Sequence, residues 1–367
     1  MPKFRVLELS GSPFEMGYRH GQAYADQIPE LAEERVRLSS DKKWTGRTLA
    51  RAEVLALGRA CLPYHEAYAP ALMAELRGMS QATGVGLPEL VILNGFTDFI
   101  DTVYNTDPVV QSSPAPAHPG ADNCTAFIVS PDATVDGYGF YGQTWDMHDT
   151  ATPFVILLRG KPAGGLSFLT MTIVGCVGMI GMNEAGIAVG VNNILGGDGQ
   201  VGVTWPFVVR QVLAQDNIDA ALACITEAQL AGAHNYMLID AHGRGYNVEA
   251  MASRCHVQEV AHGSMVHTNH CLLPRNIEVE RERLPQSRLS SETRLSVAQN
   301  RLDSGRITLD DLVALTRNHD ASSGICVHAE EPMWIESCSA AIMRPATHEM
   351  WAVWGNPCQN EYERFAV

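Results

Sequence analysis

Residues 114–130 read PAPAHPGADNCTAFIVS. A Pro/Ala/Gly-rich stretch runs into Asn123-Cys124-Thr125, and an apolar strand-like run follows at once. Before this junction the apolar residues fall at helical spacing. After it they come in short strand-like runs between Gly, Pro and Asp turns. The junction divides the chain into a helical segment, 1–123, and a strand-rich segment, 124–367. A cysteine at the first position of a buried strand, straight after such a linker, has two readings. It can be an inert strand cysteine, as most free cysteines are. It can also be a chain terminus in waiting. If the Asn123–Cys124 bond is cut, the α-amine of Cys124, with a pKa near ~8, lies within reach of its own sulfur and can serve as its base.

Upstream, FRVLELSGS (4–12) reads as a strand and turn. Ser12 is then an N-cap, with Pro13 at the first helical position and Glu15 three residues after the serine. TLARAEVLALGRACLPYHEAYAPALMAELRGMSQATG (48–84) is spaced as two helices, broken near Pro63 and ended at Gly84, and LPELVILNGFTDFIDTVY (87–104) as one more. Residues 105–121 hold four prolines and little that can pack, which reads as a linker. Downstream, strands are expected at 124–130, 137–146, 154–160, 166–173, 177–183 and 186–193. Helices follow near 204–215 and 217–231, and strands return at 234–241, 245–251 and 263–269. Helices near 286–303 and 308–318 precede a closing hairpin over 338–355. Runs of strands and runs of helices without βαβ alternation predict an α+β protein, with antiparallel sheets and helices segregated to their faces.

The chain has 367 residues, of which 46% are hydrophobic and 18% charged, enough for a large core. Its formal charge of −15 disfavours nucleic acid and anionic membrane as partners. Residues 1–17 lack a signal peptide's apolar core, and no run is long enough for a membrane span. The nine cysteines are widely spaced and form no CxxC, which points to a reducing, cytoplasmic setting. His262, His267 and His270 cluster near Cys255, His256 and Cys271, but without compact ligand spacing. No metal or other cofactor is expected.

Three further features bear on chemistry. Asp146 ends the aromatic strand GYGFYGQTWD, and a single hairpin brings it beside Cys124. It is a turn aspartate or a carboxylate that orients the nucleophile. Asn192 and Asn193 end the strand GIAVGVNN, and Asn269 ends MVHTN. Each is a turn residue or an amide donor for an oxyanion. Gln143 and Thr144, just before Asp146, are candidates for supporting roles, as is Asn192.

SGSPFEMGYRHGQAYADQI (10–28) resembles the opening of the isopenicillin-N acyltransferase family, where a G-x-P-x-x-x-G-x-x-H-G pattern recurs. LVILNGFTDFID, DNCTAFIVS, YGQTWDMH, EAGIAVGVNN, HTNHCL, SSGICVH and WAVWGNPC resemble further motifs of that family in the same order. The resemblance implies an N-terminal-nucleophile hydrolase related to the choloylglycine hydrolases. The implied fold is an αββα sandwich of two stacked antiparallel sheets between helical layers. It further implies an inactive precursor that cleaves itself between Asn123 and Cys124. Residues 1–123 and 124–367 would then stay together as two subunits around one core. Carried over residue by residue, Cys124 is the nucleophile, Asp146 the carboxylate beside it, Asn269 the oxyanion asparagine and Asn193 a second amide donor. Gln143 stands where choloylglycine enzymes carry arginine, which favours the acyltransferase branch. The family's late catalytic arginine has no clear counterpart in the sequence, Arg317 and Arg344 being the candidates. The implied substrates are a small acyl amide or acyl-CoA thioester, with water or an amine as acceptor. Two other classes stay open: an uncleaved hydrolase pairing Cys124 with His267 or His270 and with Asn269, and a non-catalytic binding protein on the same fold.

Overall fold

The structure, a computed structural model, describes residues 3–105, 123–319, 324–331 and 334–367. From residue 106 on, the expected linker lies outside the described residues. Strands β1 (Val6–Gly11), β2 (Thr125–Val129), β3 (Phe140–His148), β4 (Val155–Pro162), β5 (Phe168–Ile173), β6 (Ile180–Asn183) and β7 (Ala188–Asn193) are followed by β8 (His234–Ile239), β9 (Gly245–Ala250), β10 (Cys255–Val260), β11 (Ser264–His267), β12 (Ile335–Arg344), β13 (Glu349–Trp354) and β14 (Glu363–Ala366). They form an eight-stranded sheet, β1-β4-β5-β6-β7-β8-β9-β10, and a six-stranded sheet, β11-β2-β3-β12-β13-β14. All pairings are antiparallel except β1 with β4, which is parallel. The expectation of purely antiparallel sheets is corrected at that edge, where β1 arrives from the helical segment.

The helices are α1 (Pro13–Ala23), α2 (Gln27–Ser39), the one-turn α3 (Lys42–Thr45), α4 (Arg51–Tyr68), α5 (Pro70–Thr83), α6 (Leu87–Leu93), α7 (Phe96–Asn105), α8 (Trp205–Val212), α9 (Ile218–Thr226), the one-turn α10 (Pro274–Ile277), α11 (Pro285–Leu302) and α12 (Leu309–Thr316). Helices α1, α8 and α9 cover the larger sheet, and α11 and α12 the smaller. The inner faces meet where β2 and β3 lie on β7 and β8. Helix, sheet, sheet and helix thus stack as an αββα sandwich. No described helix is long and apolar enough to cross a membrane.

Strand β2 shows how the layering aims the site. Phe127 and Val129 pack with Ala298, Leu302, Leu312 and Leu315 of the α11/α12 layer. Ala126 and Ile128 belong to the large core shared with the other sheet. Side chains alternate along a strand, so Cys124 falls on the inner face with Ala126 and Ile128.

The motif at residues 11–21 has a physical basis. Gly11 turns the chain at φ +114°. Ser12 Oγ then accepts from Glu15 N at 3.3 Å, while Glu15 Oε2 accepts from Ser12 N at 2.8 Å, closing the expected capping box. Helix α1 crosses α5 so closely that a Cβ on Gly17 would lie 1.8 Å from Glu75 O, and one on Gly78 2.1 Å from Phe14 O. His20 Nε2 accepts from Gly175 N at 3.0 Å. Burial pushes the ring pKa down to about 3, with Arg210 adding to it, and keeps the ring neutral. Gly17→Ala has no space for its methyl against rigid backbone. We predict a loss of about 1–3 kcal/mol or more, read as a lower urea midpoint at unchanged slope. An unchanged midpoint refutes this packing.

Three readings are corrected by tertiary context. Helix α4 runs through Pro63, and the break falls at Ala69, whose backbone leaves the helical region (φ −145°, ψ 69°) before Pro70. The stretch 87–104 is two helices, because Asn94 leaves the helical path. Its amide bonds Leu90 O, Gly175 O and Val177 N. Strand β10 was not anticipated. It is a half-exposed edge strand with little apolar alternation.

Candidate active site

Cys124 stands one residue before β2 and is 3% exposed. Its thiol donates to the main-chain oxygen of Asp146 at 3.7 Å and accepts from Asp146 N at 3.4 Å. The β2–β3 pairing sets this contact, since Thr125 lies opposite Thr144. Thr144 takes a supporting place by accepting Thr125 N at 3.2 Å.

The carbonyl of Cys124 is held as firmly. Arg294 on α11 donates to Cys124 O at 2.7 Å and Thr125 Oγ1 at 3.1 Å through Nη1, and to Asn269 Oδ1 at 3.0 Å through Nη2. Asn269 Nδ2 in turn donates to Asn193 O at 3.1 Å. Its backbone N–H is fixed by Ser291 Oγ at 2.9 Å. One guanidinium fork and one amide therefore tie Cys124, the end of β11 and the end of β7 into a single polar array.

The side-chain amide of Asn193 is the group left available. Neither Nδ2 nor Oδ1 has a hydrogen-bond partner among the described residues. Asn193 and Cys124 line one small cavity of about 20 Å³, with Trp145, Met147, Trp205 and His234. A second cavity of about 30 Å³ shares Thr97, Trp145, Met147 and Trp205 and reaches Arg35. The terminal nitrogens of Arg35 also lack a hydrogen-bond partner among the described residues, and its guanidinium lies 5.2 Å from the Phe96 ring centroid. Burial, the largest influence, lowers the pKa of Arg35. A larger groove beside Gln27, Glu34 and Phe154 is lined by no cysteine.

Of the expected site residues, Cys124, Asn193 and Asn269 come together, and Asp146 meets Cys124 through its main chain, from inside β3 rather than from a strand end. Asn192 does not line the Cys124 cavity, and its amide has no partner among the described residues. Gln143 Nε2 donates to Val191 O and its Oε1 accepts from Tyr141, so it staples β3 to β7. His267 is bound to Thr268 O at 2.7 Å and to Glu249 at 3.2 Å, and His270 Nδ1 to Ser291 Oγ at 2.7 Å. Both rings are thus engaged away from Cys124. The histidine lining the cavity is His234. Its Nε2 bonds Thr97 Oγ1 at 2.9 Å, and burial depresses its pKa to about 3. Asp98, 3.6 Å from His234 Nδ1, is pushed well above the ordinary carboxyl range by burial.

Arg317 donates to Pro357 O and Asn360 O, and Arg344 pairs with Glu349 and Asp136. The arginine that holds Cys124 and Asn269 is Arg294, with Arg283 donating to Asn193 O at 3.4 Å, and neither was singled out in the sequence. The signal for Arg294 was helical spacing. Ser291, Arg294, Ala298 and Leu302 form the buried stripe of α11, and an arginine on such a stripe demands buried acceptors.

A sequence model of the family described as acyl-coenzyme A:6-aminopenicillanic acid acyl-transferase matches residues 133–359. Over 270 residues the chain is 26% identical to the 40 kDa form of the acyl-coenzyme A:6-aminopenicillanic-acid-acyltransferase of Emericella nidulans, covering 73% of this chain and 69% of that protein. Among solved structures, a mutant of the conjugated bile acid hydrolase from Clostridium perfringens aligns at a TM-score of 0.41 and 14% identity, over 66% of this chain and 97% of that one. Penicillin V acylase from Agrobacterium tumefaciens aligns at 0.39 and 12% identity, over 63% and 83% respectively.

Proposed function

The chain belongs to the acyl-coenzyme A:6-aminopenicillanic acid acyl-transferase family, and from that premise we propose that it is an autoproteolytic N-terminal cysteine amidohydrolase or acyltransferase. The observation that carries this reading is the Cys124 thiol opening on a cavity beside the unpartnered amide of Asn193, with its own carbonyl clamped by Arg294.

In maturation, Cys124 Sγ adds to the Asn123 carbonyl carbon. The Asn123–Cys124 C–N bond breaks, and the Cys124 nitrogen takes the thiol proton. Water then hydrolyses the thioester, leaving a carboxylate on Asn123 and a free amine and thiol on Cys124. Residues 1–123 keep β1 paired with β4, which supports two subunits that remain associated. In turnover, the free amine takes the thiol proton and the thiolate attacks an amide or thioester carbonyl. Asn193 donates to the resulting oxyanion, while Asn269 and Arg294 hold the main chain around it. Asp146 orients the ammonium, which protonates the leaving group. Water or an amine then resolves the acyl-enzyme. Arg35 lines the adjoining cavity, with the Glu34 carboxylate 4.0 Å away, and favours substrates with an anionic group. All nine cysteines are free, in keeping with a cytoplasmic setting.

Trapping tests the reading. A panel of acyl amides and acyl-CoA thioesters, with and without a carboxylate, is incubated with the processed protein and quenched in acid. The adduct is expected on the peptide beginning at Cys124. An adduct on another residue, or tight binding without turnover of any panel member, rejects the enzyme. Asn193→Ala is expected to lower kcat by about 10²–10³ with the fold intact, the usual loss for one oxyanion donor. An unchanged kcat removes Asn193 from that role.

A further inference from the structure

Two stretches that play no part in the chemistry above, GICVH (324–328) and WAVWGNPC (351–358), meet in space. His319 follows α12, Cys326 and His328 lie in the segment 324–331 before β12, and Cys358 sits in the turn after β13. One ligand atom from each lies within 4.8 Å of all the others. His328 Nε2 is 3.4 Å from Cys358 Sγ, and the His319 and His328 rings stack with centroids 5.0 Å apart. We propose that His319, Cys326, His328 and Cys358 are the four ligands of a structural zinc ion that ties the segment before β12 to the turn after β13.

The donor set decides the metal. Two thiols and two imidazoles with no carboxylate do not suit magnesium or calcium, which take oxygen donors, and do suit tetrahedral zinc. Zinc bonds of about 2.3 Å to sulfur and about 2.0–2.1 Å to nitrogen put tetrahedral donors roughly 3.3–3.8 Å apart. The observed cluster contracts onto that geometry by small side-chain shifts. The backbone beneath it is already fixed by Cys326 N to Asn318 O at 3.1 Å, Asn356 Nδ2 to Val327 O at 2.8 Å and Arg317 Nε to Pro357 O at 2.8 Å. A Cys326–Cys358 disulfide would account for the sulfurs alone and leave two imidazoles converging on the same point. Four protein ligands leave no open position for a reacting water, so the ion's role is to hold structure.

The site braces the candidate active centre from behind. Val327 N donates to Ser337 Oγ and Ser337 N to Val327 O, each at 2.9 Å, and Ser337 lies opposite Asp146 in the β3–β12 register. An ion fixing Cys326 therefore steadies the strand pair that carries Asp146.

The test uses the full chain, expressed with zinc supplied and dialysed into zinc-free buffer under reducing conditions. Elemental analysis is expected to find about one zinc per chain, lost in Cys358→Ser and His328→Ala. Stripping the ion with a strong chelator is expected to lower Tm by on the order of 5 °C, restored by zinc. Cobalt exchanged into the wild-type protein should give tetrahedral visible bands and a thiolate charge-transfer band, a readout that does not depend on the variants folding. Wild-type protein without zinc, a variant that keeps its zinc, cobalt without the thiolate band, or a Cys326–Cys358 disulfide in the reduced preparation each overturns the assignment. None of these readouts passes through catalysis, so the proposal stands or falls apart from the proposed activity.

Discussion

Cys124→Ala is expected to yield a single uncleaved 367-residue chain with no turnover. The substitution removes the one atom that both steps share, the sulfur that opens the Asn123 carbonyl and later carries the acyl group. It costs little in packing, because a cysteine side chain is small and the Asp146 contacts it forfeits are weak ones to sulfur. Tm should therefore stay within a few degrees of the wild type, which separates lost chemistry from lost folding. Cleavage of this variant at the same bond, or residual turnover well above background, would place the nucleophile elsewhere.

Arg294→Ala is expected to cost both stability and rate. The guanidinium is fully buried and satisfies Cys124 O, Thr125 Oγ1 and Asn269 Oδ1. Each acceptor left without its donor costs about 1–3 kcal/mol, so a total of several kcal/mol is expected. Cys124 and Asn269 would also lose their shared reference point. A displacement near 1 Å at a reacting group lowers rates by about 10²-fold, and a fall in kcat of at least that size is expected. Arg294→Lys tests geometry against charge. A lysine has one ammonium where the fork spans Cys124 O and Asn269 Oδ1, so only partial rescue of Tm and kcat is expected. Full rescue by lysine, or an alanine variant with wild-type Tm and kcat, would show that Arg294 positions nothing.

Local chemistry was legible where a residue acts on near neighbours. Ser12, Pro13 and Glu15 announced the start of α1, Gly84 ended α5, and the switch in periodicity at Cys124 marked the point that every strand but β1 follows. Pro63 misled because proline is usually a helix breaker, yet here α4 carries it through and stops at Ala69. Asn94 splits the next helix for a reason that lies 81 residues away, at Gly175. Cys124 and Asn193 could be named because one precedes β2 and the other ends β7, and Asp146 and Asn269 because each lies within two residues of the end of a strand. Arg294 could not, since its value lies in a carbonyl 170 residues earlier in the chain. The cluster of His319, Cys326, His328 and Cys358 was not legible for the same reason. His262, His267 and His270 stand close together in the sequence, while the four side chains that converge come from three separate segments of the chain.

The central claim is that the Asn123–Cys124 bond is the scissile bond and that Cys124 becomes a working chain terminus. Intact-mass measurement with N-terminal sequencing of the purified active protein tests it most directly. Two polypeptides are expected, residues 1–123 and 124–367, the larger beginning at Cys124, with activity rising as the precursor disappears. A single 367-residue chain at full activity, or a new terminus at any residue other than Cys124, would contradict it.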